Sequence, residues 1–117
     1  MTMLLGEVTQ ADLGAAAALF RSLGDPARLA ILRRLAAGEA RVVDLTGQLG
    51  LAQSTVSKHL ACLRGCGLVD VRAVGRASVF RLAQPVLLQL FTAAETVLQA
   101  TGNAVALCPT YGEQATS

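Results

Sequence analysis

Apolar residues along this chain recur at two different spacings, which separate helical from extended segments. Apolar side chains return every three or four positions in five segments, which predicts five helices. These helices are predicted at 10–22, from Pro26 to about Gly38, at 42–49, from about 53 to 66, and at 85–101. Between the last two, residues 68–74 and 77–82 follow an alternating pattern, with Gly75-Arg76 between them, which predicts a β-hairpin.

The order of these elements predicts a winged helix-turn-helix. A short helix at 42–49, a turn at Gly50-Leu51 and a longer helix have the order of a helix-turn-helix. The hairpin that follows carries Arg72 and Arg76, so it suits a wing that lies along a phosphate backbone. The alternative is a small sheet that caps the core. We therefore expect a mainly α fold with a small β-hairpin, in the order α1-α2-α3-α4-β1-β2-α5.

The first and last predicted helices are unusually apolar. Hydrophobic residues make up 53% of the chain and aromatic residues 3%, so the core must be aliphatic. The last helix has Glu95 as its single charged residue. Such a face on a small domain leaves a large apolar patch unless a partner covers it. We expect helices one and five to form a homodimer interface.

Charge is unevenly distributed along the chain. All 10 Lys and Arg residues lie between Arg21 and Arg81. The segments outside that span contain acidic residues and no Lys or Arg. A basic middle segment favours a polyanionic partner such as nucleic acid, although a solvated surface with an ordinary sign bias is the alternative.

The fourth predicted helix has a polar side that suits a DNA groove. At about 100° per residue, Val56, Leu60 and Leu63 share one side and are expected to anchor the helix to the core. The polar residues able to bond base edges or phosphates are Gln53, Ser54, Ser57 and Lys58. An amphipathic surface helix that contacts no DNA is the alternative.

Three cysteines have the chemistry of metal ligands. Cys62 and Cys66 are four residues apart, which places their Cβ atoms about 5–6 Å apart on one flank of a helix. Two thiolates there could share a soft ion, with Cys108 as a third ligand from its own chain or a dimer partner. His59 on the same flank is a candidate fourth ligand or a hydrogen-bonding group. The alternative is that Cys62 and Cys66 fill space in the core.

Other functional classes find little support in the sequence. The chain has one His, no paired carboxylates at a useful spacing and no Gly-rich phosphate loop, so we expect no enzyme. Residues 1–5 are too short and lack the basic start of a signal peptide, and no apolar run has the length of a membrane span. We expect a cytoplasmic protein with reduced thiols and no membrane partner.

Three motifs together resemble the ArsR/SmtB family of dimeric winged-helix repressors. They are the segment 23–32, the segment 54–60 and the Gly75-Arg76 wing tip, and the resemblance covers about residues 10–101. It implies double-stranded operator DNA as a partner and a homodimer through helices one and five. The DNA-contacting residues it implies are Gln53, Ser54, Thr55, Ser57, Lys58, His59, Arg72 and Arg76.

Members of this family release DNA when a metal or metalloid binds, and their sensing sites lie in several places. Residues 41–45 lack the arsenic-type Cys-x-Cys, and the segment 85–101 lacks the Asp and His residues of the zinc-type site. Residues 59–69 are similar to the CmtR-type cadmium/lead sensors, which take a third ligand from a C-terminal cysteine. The implied metal ligands are Cys62, Cys66 and Cys108. Cd(II) or Pb(II) is favoured as the effector, with As(III) or Hg(II) as alternatives.

The sequence thus predicts a DNA-binding and dimerisation domain at 1–103 and a tail at 104–117 that carries a metal ligand. The predicted function is a repressor that binds operator DNA as a metal-free dimer and is released by a soft ion. Two alternatives are kept. One is a winged-helix regulator in which Cys62 and Cys66 sense redox state. The other is a soft-metal buffer or protein-interaction module that binds no DNA.

Overall fold

The computed structural model describes residues 8–108 and folds them into five helices and a three-stranded sheet. The elements are α1 (Gln10–Leu23), α2 (Pro26–Ala36), β1 (Ala40–Arg41), α3 (Val42–Leu49), α4 (Gln53–Gly65), β2 (Val69–Val74), β3 (Ala77–Leu82) and α5 (Leu87–Ala100). The antiparallel sheet has the order β1-β3-β2, with Ala40 opposite Phe80 and Val69 opposite Leu82. The predicted mainly α winged helix-turn-helix is confirmed, and β1 is an additional strand that the sequence did not predict.

Local signals set where the helices begin and end. The Asp25 carboxylate caps α2, since Oδ1 accepts hydrogen bonds from the backbone N–H groups of Ala27 at 2.8 Å and Arg28 at 3.1 Å. Gly50 ends α3 in the left-handed conformation, at φ 68°, which a side chain would disfavour. The turn at Gly50 leads directly into α4. Before α5, Pro85 lies in a turn, so the helix begins at Leu87 rather than at the proline.

An aliphatic core holds α4 in place. Val56, Leu60 and Leu63 of α4 are all fully buried, as the helical period predicted. They pack in one cluster with buried residues of α2, α3, the sheet and α5. The rest of this cluster is Leu23, Ile31, Leu32, Leu35, Ala40, Leu45, Leu68, Val69, Leu87 and Phe91. Because one side of α4 is fixed this way, its opposite side is held toward solvent.

Helix α1 contributes little to this core. Every residue from Gln10 to Ala18 is exposed, and Ser22 and Leu23 at the C-terminal end are buried. Leu13 and Phe20 of α1 and Val97 of α5 are each more than half exposed. None of the helices in residues 8–108 combines the length and apolarity that crossing a membrane requires.

Candidate nucleic-acid interface and thiol site

The outward side of α4 carries most of the polar residues that were predicted to contact DNA. Gln53, Ser54, Ser57 and Lys58 are exposed, and Thr55 is half-buried. The residue before the helix, Ala52, provides no side-chain cap, so no side chain at that position occupies the first-turn N–H groups. Free N–H groups at a helix N-terminus attract anions such as phosphate. This end of α4 therefore combines neutral hydrogen-bonding groups, one Lys and a favourable helix dipole.

His59 occupies a different position from the rest of the predicted set. Its side chain is 15% exposed and lies against the N-terminal end of α2. Nδ1 is 3.5 Å from Nη1 of Arg28, and Nε2 is 3.9 Å from Oδ1 of Asp25. The structure thus places this ring between α4 and the N-terminal end of α2.

The two arginines of the wing differ in their surroundings. The guanidinium of Arg72 donates to both carboxylate oxygens of Glu39, from Nε at 3.1 Å and from Nη2 at 2.7 Å. These hydrogen bonds lower the pKa of Glu39 and raise the pKa of Arg72. Arg76 is exposed at the tip beside Gly75, which has a φ of 61°. Arg76 is accessible as it stands, whereas Arg72 must exchange a carboxylate for any phosphate it binds.

One basic residue near this surface was missed by the sequence reasoning. Arg41 lines a cleft of about 340 Å³ beside the start of α4, together with Thr46, Gln53 and Ser78. Its guanidinium pairs with Asp44, with two N–O distances of 3.2 Å, and this pairing lowers the pKa of the carboxyl. Only the pairing of β1 with β3 brings Arg41 next to the wing, so the linear sequence carries no signal for it.

Two of the three thiols lie together at the other end of α4. Cys62 and Cys66 are both exposed and unoxidised, and the backbone N–H of Cys66 donates to the carbonyl of Cys62 at 3.1 Å. The Sγ of Cys66 also lies 3.0 Å from the hydroxyl of Ser22, at the end of α1. Two accessible thiols in successive turns fit part of the donor set that a soft ion prefers. They do not behave as core fillers.

Cys108 is held elsewhere in the chain. Its Sγ lies 3.5 Å from the carbonyl of Leu88 and 3.6 Å from the hydroxyl of Thr92, both on α5. Within residues 8–108 of a single chain, no three His, Cys, Asp or Glu side chains form a group that would hold a metal ion. Cys62 and Cys66 therefore lie one turn apart at the C-terminal end of α4, whereas Cys108 contacts α5. Residues 109–117 of the predicted tail lie outside the described part of the chain.

Comparisons with known proteins agree with this architecture. The model of the family described as "Bacterial regulatory protein, arsR family" matches residues 25–71. Over 101 residues, the chain is 33% identical to a probable mercury resistance operon repressor of Streptomyces lividans, and the match covers 84% of this chain and 81% of that protein. The chain belongs to the ArsR family of bacterial regulatory proteins.

Two further relatives of this ArsR-family chain support the resemblance seen in its sequence. The HTH-type transcriptional regulator CmtR of Mycobacterium tuberculosis is 48% identical over 69 residues, which are 59% of this chain. The match spans 58% of the length of CmtR, less than two thirds of that regulator. A homodimeric winged helix-turn-helix DNA-binding domain from Mycobacterium bovis superposes with a TM-score of 0.71 at 30% identity, covering 80% of this chain and 86% of that domain. Both the predicted family and the predicted fold are confirmed.

Proposed function

We propose that this ArsR-family chain is a transcriptional repressor that binds double-stranded operator DNA as a homodimer and is released by a soft thiophilic ion. One observation carries the proposal. Helix α4 presents exposed hydrogen-bonding residues in its first turns and two exposed thiols in its last turn and at its C-terminal cap. Any ligand of those thiols acts on the same rigid element that contacts the DNA.

In the DNA-bound state, the N-terminal half of α4 enters the major groove. Gln53, Ser54, Ser57 and Lys58 reach base edges and phosphates, with Thr55 at the margin of this surface. Arg76 contacts phosphate from the wing tip, and Arg72 joins it after leaving Glu39. His59 acts through Asp25 and Arg28, by fixing the angle of the helix.

The exposed apolar residues of α1 and α5 support a homodimer through these two helices. Phe20 is 59% exposed and Val97 is 62% exposed, and apolar patches left exposed on a small domain mark interaction surfaces. A cleft of about 530 Å³ lies between the same two helices, lined largely by apolar side chains that include Leu19 of α1 and Leu87 and Leu90 of α5. A second copy of the chain would cover both the cleft and the exposed face. The homodimeric domain from Mycobacterium bovis supports a homodimer.

The effector is a soft ion because the donors that the protein offers are thiolate sulfurs, which soft ions prefer. Cys62 and Cys66 supply two thiolates on α4. The third, from Cys108, comes either from a tail that leaves α5 or from a second copy of the chain. Cd(II) and Pb(II) suit three thiolates, as do As(III) and Hg(II). The name of the mercury-operon relative from Streptomyces lividans supports a metal effector.

A DNA-binding assay with a panel of ions tests the proposal. Fluorescence anisotropy of a labelled promoter duplex is followed with the reduced protein, alone and with Cd(II), Pb(II), Hg(II) or arsenite. We expect tight binding that weakens steeply with salt, and a further loss of about 5–150-fold with the effector. A DNA affinity that does not change with salt concentration would exclude a protein that contacts the phosphates. A response to a mild oxidant but to none of the ions would favour the redox regulator instead.

A further inference from the structure

A cleft between α3, α4 and β3 has a wall that carries several hydrogen-bond donors. It has a volume of about 340 Å³ and lies beside the first residue of α4. Arg41 contributes a guanidinium to its wall, Gln53 an amide and Ser78 a hydroxyl. None of the described residues that line the cleft is Asp or Glu, so the wall suits an anion. The other lining residues are Val42, Val43, Thr46 and Ala77.

The cleft lies between the two elements that the proposed function places on DNA. Gln53 is the first residue of α4, and Ser78 follows shortly after Arg76 at the wing tip. Arg41 reaches this place because β1 pairs with β3, where Arg41 lies opposite Val79. A DNA strand that contacts both α4 and the wing tip therefore carries its phosphates past the mouth of the cleft.

The donors of the cleft are available to a ligand. Within residues 8–108, the Gln53 amide and the Ser78 hydroxyl have no hydrogen-bond partner in the protein. The guanidinium of Arg41 pairs with Asp44 at 3.2 Å, but these side chains are 53% and 32% exposed. Exposed ion pairs of this kind contribute little to stability, so a phosphate can take the place of the carboxylate. Asp44 keeps a partner in that exchange, since its Oδ2 also accepts from the backbone N–H of Arg41 at 2.9 Å.

We propose that this cleft is a phosphate-binding site of the operator-DNA interface, in which Arg41 is the charged ligand and Gln53 and Ser78 donate beside it. Asp44 holds the guanidinium in the absence of DNA and yields it to a backbone phosphate in the complex. Because every nucleotide of the duplex carries a phosphate, the site adds affinity without adding sequence preference. The inference rests on the proposed function, since it requires that α4 and the wing bind DNA.

The experiment measures the salt dependence of DNA affinity for wild type and Arg41→Ala. Fluorescence anisotropy is recorded over a series of salt concentrations, with the promoter duplex and with a duplex of scrambled sequence. We expect Arg41→Ala to bind both duplexes more weakly. The slope of log affinity against log salt should become shallower by about 0.9 for each chain of the dimer. The fold-loss should be the same on both duplexes, because a phosphate contact carries no sequence information.

Arg81→Ala is the matched control for the loss of one positive charge. Arg81 lies on the same sheet as Arg41, and its side chain is 56% exposed. Its guanidinium also faces an aspartate, with Nη2 3.8 Å from Oδ2 of Asp70. Arg81 does not line the cleft, so we expect its replacement to leave the salt slope near the wild-type value.

A second pair of variants tests the exchange between carboxylate and phosphate. Asp44→Asn keeps an oxygen acceptor for the backbone N–H of Arg41 and removes the charge that competes with phosphate. We expect it to raise DNA affinity, and the gain should shrink in the Arg41→Ala background. A gain of equal size in both backgrounds would show that Asp44 acts on DNA through its own charge alone, and it would overturn the exchange.

The outcomes separate this inference from the proposed function. A wild-type salt slope in Arg41→Ala overturns the phosphate site and leaves the repressor intact. A loss confined to the promoter duplex, with an unchanged slope, also overturns it, because Arg41 would then act by orienting α4. A wild-type protein whose DNA affinity does not change with salt overturns the proposed function and this inference together. If Arg41→Ala folds poorly, Arg41→Gln keeps a hydrogen bond to Asp44 without the charge and should give the same shallower slope.

Discussion

The backbone N–H of Cys108 donates a hydrogen bond to Oε2 of Glu95 at 2.7 Å, which fixes the third thiol of the chain against α5. The N–H of Leu107 donates to the same oxygen at 2.6 Å. On the other side, Nε of Arg33 donates to the carbonyl of Ala106 at 3.0 Å. These contacts hold the start of the tail. A Cys108 that joins Cys62 and Cys66 of its own chain must first give them up.

Replacing Glu95 is expected to release the tail. Glu95→Ala removes the acceptor of two backbone N–H groups, so Cys108 should react faster with iodoacetamide than in wild type. Glu95→Gln keeps an oxygen acceptor without the charge and should give an intermediate rate. Mass spectrometry of the reduced, metal-free protein measures the rate at each cysteine, and Cys62 serves as the internal reference. Equal rates at Cys108 in all three proteins would show that Glu95 does not hold the tail.

Replacing Cys108 tests whether the third thiol completes the sensing site. We expect Cys108→Ser to bind promoter DNA as wild type does in the absence of metal, since the residue lies away from the α4 surface. The release of DNA by Cd(II) should disappear, because two thiolates do not complete the site. DNA anisotropy with and without Cd(II) measures both quantities. A normal response in this variant would mean that the three-sulfur site is wrong.

The pairing of Arg72 with Glu39 leads to a prediction on DNA affinity. A phosphate that binds Arg72 must displace a carboxylate that is bonded through both oxygens. Glu39→Gln weakens that competitor, so DNA affinity at low salt should rise. The double variant Glu39→Gln/Arg72→Ala provides the control. If the gain survives without Arg72, it reflects the lost negative charge alone, and Arg72 is not a phosphate contact.

How much of this site the sequence predicts depends on whether a residue is positioned locally or by distant contacts. The burial of Val56, Leu60 and Leu63 follows from the helical period alone, and so does the outward side of α4. His59 also lies on the side of α4 that the helical period predicts for it. Its contacts with Asp25 and Arg28 depend on how α2 crosses α4, which no local pattern records.

The same distinction explains the missed strand and the position of the tail. A strand of two residues, Ala40–Arg41, is too short to show an alternating pattern, and it exists because it pairs with β3 about 40 positions later. The position of Cys108 against α5 likewise depends on contacts between distant parts of the chain, among them the hydrogen bonds of the Glu95 carboxylate with the N–H groups of Leu107 and Cys108. The sequence identifies the three thiols as chemically related, but not where each one lies.

If the exposed faces of α1 and α5 form the dimer interface, a charged substitution there should disrupt the dimer. Phe20→Asp puts a carboxylate into the proposed dimer interface, where burial without a partner is costly. We expect it to convert the protein to a monomer and to weaken DNA binding, because a single half-site remains. Val43→Asp is the matched control for oligomeric state alone, since Val43 is 61% exposed on α3 but lines the cleft beside α4. Sedimentation equilibrium decides: a dimeric Phe20→Asp protein would place the interface elsewhere.

The capping carboxylate of Asp25 predicts a pH dependence of stability. The hydrogen bond from the Arg28 N–H is the main cause that lowers its pKa below the ordinary value of 3.8. A carboxyl with a lowered pKa in the folded state stabilises the protein above its unfolded pKa, and this contribution is lost as pH falls through the folded pKa.

Asp25→Ala should therefore lower the denaturation midpoint at pH 7, and the difference from wild type should shrink below about pH 4. Asp25→Asn caps without titrating, so its advantage over Asp25→Ala should stay constant with pH. Urea denaturation at one fixed protein concentration measures all three proteins, and a wild-type advantage that does not change with pH would contradict an ionised cap.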